Sequence, residues 1–367
     1  MAWLGTWAHR VKLTIDAGDV TADLANFPVL VYISASSGIN AEDISFVFDE
    51  LTSDANRKKI AVTTSDGTTQ CYVEIEKWDD ANEKAWLHVN VPAVDADVNE
   101  DLYLYYDAAQ ADNDTYVGDT NSAPAASVWD ANFVGVYHLM DGADTSHVYD
   151  STSNNLDGTK EGAADPAVTT SGKVANAQDF PGDTFIDLSN SSTLNPTTAM
   201  TLEGWANIDS VADAQVVGRD KASYRVYALG WGAGVGYYFT LQINGAGTIA
   251  VAGAPATGSW HYRAATGNAA TGWIGYYDGG QVGTAAWSAP ANKVENTYIG
   301  KRGYVGSECW VDGKIDEVRI SNILRPASYF KATYESQRDH FLDWGSEEAL
   351  AVIPSVPRMM RIMLMSP

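Results

Sequence analysis

Apolar residues recur at every second position through most of this chain. Val11, Leu13 and Ile15 share one face of a strand, Phe27, Val29, Val31 and Ile33 make the next, and Ile44, Phe46 and Phe48 a third. Cys71, Val73 and Ile75 alternate with Tyr72, Glu74 and Glu76, while Leu87, Val89 and Val91 alternate with Trp86, His88 and Asn90. Leu102, Leu104 and Tyr106 alternate with Tyr103 and Tyr105. A period of two sends successive side chains to opposite faces of a pleated strand, whereas a helix would scatter them around its axis. At least six such strands, separated by loops rich in turn residues, predict a β-sandwich. The 32 glycines cluster with Asn, Asp and Ser, as tight turns between short strands require.

From about Ala108 to Ser127 the composition shifts to Ala, Asp, Asn, Thr, Gly and Pro, which reads as a linker holding a domain boundary. A second set of strands begins near Phe133 and includes Phe239, Leu241 and Ile243 opposite Tyr238, Thr240 and Gln242. Trp273 to Thr284 carries Tyr-Asp-Gly-Gly-Gln, a hairpin signal. Arg325-Pro326 starts a short helix, with Phe330 and Tyr334 four apart on one face. The expected organisation is all-β: a β-sandwich over residues 1–125, a second β-sandwich over 126–345 ending in that helix, and a linker with an extended tail over 346–367.

Charge and cysteine content narrow the function. A formal net charge of −24 argues against nucleic acid and anionic membranes as partners, since a phosphate backbone needs clustered Lys and Arg, and fits a soluble protein or crowded copies that repel one another. Cys71 and Cys309 fall in different domains, so a disulfide within one domain is not expected. The N-terminus lacks a basic, apolar and cleavable leader, and no run of ~20 apolar residues could cross a bilayer. Synthesis in the cytoplasm without membrane insertion is the expectation.

Residues 128–345 resemble a laminin-G-like, concanavalin A-type jelly roll. The resemblance rests on Val136-Tyr137-His138-Leu139, Asp150 to Thr159, Ala177-Gln178-Asp179-Phe180, Phe185-Ile186-Asp187-Leu188, Thr201-Leu202-Glu203-Gly204-Trp205, Tyr298-Ile299-Gly300 and Gly313 to Ile320, in that order. Residues 3–125 resemble an uncharacterised domain that often precedes such jelly rolls in bacterial surface and phage proteins. Arg10 to Ile15, Asn26 to Val31, Glu74-Ile75-Glu76-Lys77-Trp78 and Leu104-Tyr105-Tyr106 carry that likeness.

The resemblance implies glycan or protein binding in general, and its fold also hosts glucanases. Those need two carboxylates flanking the scissile bond. No Glu-x-Asp-x-Glu run occurs in the second domain, and Glu74 and Glu76, spaced i, i+2, are expected on a solvated sheet face of the first. His9, His88, His138, His147, His261 and His340 are scattered and are expected to be structural. No enzyme is expected.

Asp316 shares strand parity with Val318 and Ile320, so it is expected at the edge of the core, where a carboxylate needs hydrogen bonds, a partner or a metal. The resemblance implies a structural Ca²⁺ near this strand, with oxygens from Asp150, Asn154, Asn155, Asp157 and Asp316. The alternative is that these side chains cap turns. Tyr224, Trp231, Tyr237 and Tyr238 lie in a Gly-rich stretch and could stack on sugars, with core packing as the alternative. The tail residues Arg358, Met359, Met360, Arg361, Ile362, Met363 and Leu364 cannot form a core alone and are expected to dock onto a partner. Together these features point to a structural or adhesive protein of a tailed-phage virion, a capsid decoration, head-fibre or tail-associated component. It would be present in many symmetric copies, contact other virion proteins through the tail and bind a host-surface glycan. A bacterial cell-surface carbohydrate-binding protein is the alternative.

Overall fold

A computed structural model describes residues 2–141, 144–221, 224–232, 236–302 and 309–350. Four sheets form two sandwiches. In the first, one sheet holds His9–Ile15, Glu100–Tyr106, Ile60–Thr63 and Gln70–Cys71. It faces a sheet of Leu24–Ile33, Lys84–Val94, Val73–Asp79 and Val117–Asp119. The alternation explains the layers: Val11, Leu13, Val29, Val31, Val73, Leu87, Val89, Leu102 and Leu104 are all buried in one cluster.

Three expectations change here. Phe46–Leu51 is an α-helix, not a strand, and buries Val47, Phe48 and Leu51. That i, i+1, i+4 set makes one helical face, which the apolar spacing of Ile44, Phe46 and Phe48 concealed. The expected linker supplies Val117–Asp119, which pairs parallel to Val73–Asp79 because Val117 can be buried there. Leu342–Ala349 returns to the first sandwich and pairs with His9–Ile15, His9 opposite Ala349 and Ile15 opposite Leu342. Leu342 and Trp344 fill the core, and Glu348 pairs with Arg10 at 2.6 Å. Residues 346–349, expected in the linker, are therefore strand. The jelly roll is in effect inserted between two segments of the first sandwich. The residues 358–364 expected to dock lie outside the described residues.

The second sandwich stacks two eight-stranded sheets. One runs from His147–Val148 through Thr184–Asp187, Thr297–Ile299, Ala214–Lys221, Tyr224–Gly232 and Tyr237–Ile243 to Ala246–Ala252. The other centres on Asp312–Ser321, Ala199–Ile208 and Trp260–Asn268. The hairpin signal is realised between Gly272–Tyr277 and Gly280–Ala285, with Asp278 and Gly279 at φ +49° and +77°, the left-handed pair that a two-residue turn between twisted strands requires.

The two sandwiches do not meet as separate bodies. The helix Ala327–Ser336, preceded by Pro326 as the sequence predicts, lies on the strand Leu24–Ile33, and Leu30 N–H donates to Ser336 Oγ at 2.8 Å. Phe27 contacts Tyr329 and Phe341 edge-on, and Phe330 stacks on Tyr276 at 4.2 Å. One apolar cluster thus runs from Val11 through this seam to Trp205 and Tyr262 of the second domain.

Candidate functional site

Among the described residues, two places stand out for their chemistry: a depression on the outer face of a jelly-roll sheet and a polar cluster buried in the domain seam. On Tyr237–Ile243, Phe239, Leu241 and Ile243 point into the sandwich, so Thr240 and Gln242 present the opposite face. Gln215 and Arg225 from neighbouring strands, Trp231, Tyr237 and Asp213, with Arg302 and Cys309, are among the residues lining a depression of about 130 Å³. Arg225 pairs with Asp220 at 3.4 Å, and burial pulls its guanidinium below the usual value.

The four aromatics expected to meet sugars separate. Trp231 and Tyr237 both line the depression. Trp231 is buried, donates from Nε1 to Ala212 O at 2.6 Å and carries the Arg263 guanidinium 5.0 Å from its ring. Tyr238 packs edge-on against Tyr277 at 4.8 Å. The side chain of Tyr224 lies outside the described residues.

Of the five residues expected to hold calcium, the carboxylates of Asp150, Asp157 and Asp316 accept backbone N–H groups. Asp150 accepts from the backbone N–H of Val136 and Thr152 through Oδ1, and of Leu156 through Oδ2, all at 3.0 Å. Asp157 Oδ1 accepts from Asp150 N–H at 2.8 Å. Asn154 Nδ2 donates to Val134 O at 3.3 Å, and Asn155 sits at φ +49°, a turn conformation that Asn tolerates. Asp316 accepts from the N–H groups of Lys173, Val174 and Glu317 at 2.7–2.9 Å.

Asp316 is fully buried, and a bulge in its strand sets which side it faces. Glu203 opposes Arg319 and Trp205 opposes Asp316, so Gly204 faces both Glu317 and Val318. Glu317 takes φ +53°, the left-handed region that a bulky residue adopts only at a cost. Ile315 and Val318 both enter the core, which puts Asp316 on the other side from Ile315.

Glu317 projects into the seam. Its carboxylate contacts His138 Nδ1 and the Arg319 guanidinium, and accepts from Gln337 Nε2 at 2.7 Å. Gln337 Oε1 in turn accepts from Trp205 Nε1 at 2.5 Å. From the first sandwich come Glu74, Glu76 and His88, all fully buried, where a solvated face was expected. The second sandwich and Trp129 cover that face, and a register shift between Ile75 and Lys77 adjusts the strand. Glu76 Oε2 lies 2.8 Å from His88 Nε2 and 3.6 Å from His138 Nδ1. Glu74 accepts from Trp129 Nε1 at 2.6 Å and Ser151 Oγ at 2.8 Å, and lies 3.4 Å from His138 Nε2. The two imidazoles stack with centroids 4.4 Å apart.

Burial works against a charged His138, but Glu317, Glu74 and Glu76 outweigh it and hold the imidazole well above its usual value. Burial pushes Glu76 up. Burial works against an ionised Glu74, but His138, His88 and Ser151 together outweigh it and pull it down. A cleft of about 440 Å³ reaches this cluster from outside, lined by Arg57, Lys77, Trp78 and Asp119 on one side and by His138, Met140 and Tyr149 on the other. Sequence reasoning took His88 and His138 as isolated. Their usable signal is that the face bearing Glu74, Glu76, His88 and Asn90 lacks the lysines of a solvated strand.

Residues 180–328 match the family model of the concanavalin A-like lectin/glucanases superfamily. No curated protein matches the chain in sequence. Among solved structures it is similar to domain 4 of AbnA, a GH43 extracellular arabinanase from Geobacillus stearothermophilus in complex with arabinotriose. That match has 18% identity over 55% of this chain and 97% of the other, with a TM-score of 0.42. It is also similar to Trypanosoma rangeli sialidase in complex with sialic acid (16% identity, 74% and 46% covered, TM-score 0.44) and to the binding domain of Paraclostridial Mosquitocidal Protein 1 (12%, 56% and 52%, 0.42). The chain spans about half the length of these last two.

Proposed function

We propose, from a chain whose residues 180–328 form a concanavalin A-like lectin-type domain, that this is a non-enzymatic glycan-binding protein whose sugar site is the depression on the outer sheet face. The observation that carries this reading is the convergence there of Gln215, Thr240, Gln242 and Arg225 beside Tyr237. Amides both donate and accept, as neighbouring sugar hydroxyls do, and an aromatic face covers the apolar face of a pyranose or furanose at small entropic cost. Among the described residues lining the depression, Asp213 is the one carboxylate, whereas glycoside cleavage works through two.

The setting that goes with this reading is the surface of a phage particle. Its support is the net charge of −24, which keeps crowded copies apart, and the apolar, basic segment Arg358 to Leu364, suited to docking. The test is binding to a panel of plant and bacterial oligosaccharides by calorimetry. Gln242→Ala and Tyr237→Ala should each weaken binding roughly fivefold to tenfold, the worth of one hydrogen bond or one ring contact. A panel that binds nothing, or variants that bind as the parent does, removes the site.

A further inference from the structure

We propose that Glu76, His88, His138 and Glu317 form a site for a divalent transition-metal ion of the zinc class, joining the two sandwiches at their seam. Each residue offers one ligand atom, and these atoms lie within 4.8 Å of one another, with all four side chains buried. Two ligands come from the first sandwich and two from the second. Ligand atoms arranged tetrahedrally about zinc stand roughly 3.3–3.5 Å apart, given metal–ligand bonds of about 2.0–2.2 Å. The separations of 2.8 and 3.6 Å from Glu76 Oε2 to the two imidazoles lie on either side of that range, while the whole set spreads up to 4.8 Å and His138 touches Glu317 directly, so side-chain shifts of about an ångström are needed to enclose an ion.

The surroundings are those of a built site. A ligating imidazole commonly has its second nitrogen held by a carboxylate, and ligating carboxylates are themselves hydrogen-bonded. Glu74 lies 3.4 Å from the outer nitrogen of His138 and is fixed by Trp129 and Ser151. Arg319 and Gln337 fix Glu317. Three carboxylates, Glu74, Glu76 and Glu317, crowd around His138, with Arg319 paired to Glu317. Three buried atoms of the cluster, Glu76 Oε1, His88 Nδ1 and His138 Nε2, have no hydrogen-bond partner, so the side chains do not satisfy one another. Two imidazoles with two carboxylates suit zinc and its neighbours, whereas calcium prefers an all-oxygen shell. The cleft lined by Glu76 and His138 gives the ion its way in. This inference stands apart from the glycan reading, which concerns another face of the molecule.

The test uses the full chain, stripped with a chelator and titrated with Co²⁺ and then Zn²⁺. One equivalent of Co²⁺ should give the intense visible absorption of a four-coordinate site, displaced by Zn²⁺. Zinc at about a hundredfold over Kd should raise the Tm by on the order of 5 °C, with Ca²⁺ giving no such rise. Glu76→Gln and His88→Gln, checked for folding by circular dichroism, should each lose at least tenfold in affinity. A folded parent chain that takes up no stoichiometric metal, or two folded variants that bind as tightly as the parent, overturns the proposal.

Discussion

Two strand faces in this molecule have nearly the same sequence signature and opposite fates. Glu74 and Glu76 alternate with Val73 and Ile75, and Thr240 and Gln242 alternate with Phe239, Leu241 and Ile243. The second pair looks outward from its sandwich, onto a depression. The first also points away from its own sandwich, yet another domain covers it and its carboxylates are fully buried. Alternation thus reports which side of a strand faces its own core, and says nothing about what packs on the far side. The difference shows in the partners: Thr240 and Gln242 of the open strand are neutral, while on the covered one Glu76 meets His88 of its own sandwich and Glu74 and Glu76 both meet His138 across the seam.

The comparison breaks most severely where the chain returns to the first sandwich. A chain ending at His340 loses the strand Leu342–Ala349, with buried Leu342 and Trp344, and leaves His9–Ile15 as an exposed edge. Its first sandwich should be unfolded by near-ultraviolet circular dichroism. A chain ending at Leu350 lacks the proposed docking segment and should melt as the full chain does. A native spectrum for the shorter chain would mean that this strand is dispensable.

Next in size is the removal of one seam charge. Arg319→Met takes the guanidinium from Glu317, leaving that buried carboxylate with His138 as its remaining cationic partner, and should cost about 3 kcal/mol in urea unfolding, the penalty of breaking a buried ion pair. Gln242→Ala, on the open face, should cost less than about 0.5 kcal/mol. Equal losses at the two positions would show that the faces are energetically alike.

Much of the architecture was legible in the sequence. The strands of both sandwiches follow from alternation, the Asp278-Gly279 turn from residues that accept positive φ, and the last helix from Pro326 with Phe330 and Tyr334. What escaped depends on long-range contact. Leu342 and Trp344 show a period of two over too few residues to name a partner strand 330 residues earlier in the chain. The Glu317 bulge breaks parity through one residue, and no local pattern in Asp316 to Ile320 announces it. Trp231 and Tyr237 were legible as a pair in one region, but Gln215 and Arg225 come from strands whose adjacency only the sheet order supplies. His88 and His138 are 50 positions apart and meet only because the seam closes.

The smallest effect concerns the seam's opposite flank. Asp339 accepts Gly38 N–H at 2.9 Å, and burial raises its pKa to about 6 from the ordinary 3.8. The folded state therefore holds this proton more tightly than the unfolded chain does. The penalty of ionising a half-buried carboxylate is absent below pH 4, grows through the window from about 4 to 6, and is complete above it. Asp339→Asn keeps an acceptor for Gly38 and a residue that tolerates the φ of +59° found here, while removing the charge. The variant should melt a few degrees higher than the parent at pH 7.5 and together with it at pH 4. A gain of the same size at both pH values would mean that the benefit is not electrostatic. A loss at both would mean that the carboxylate's bond to Gly38 outweighs its burial, and that the seam tolerates an isolated charge on this flank better than it does around Arg319.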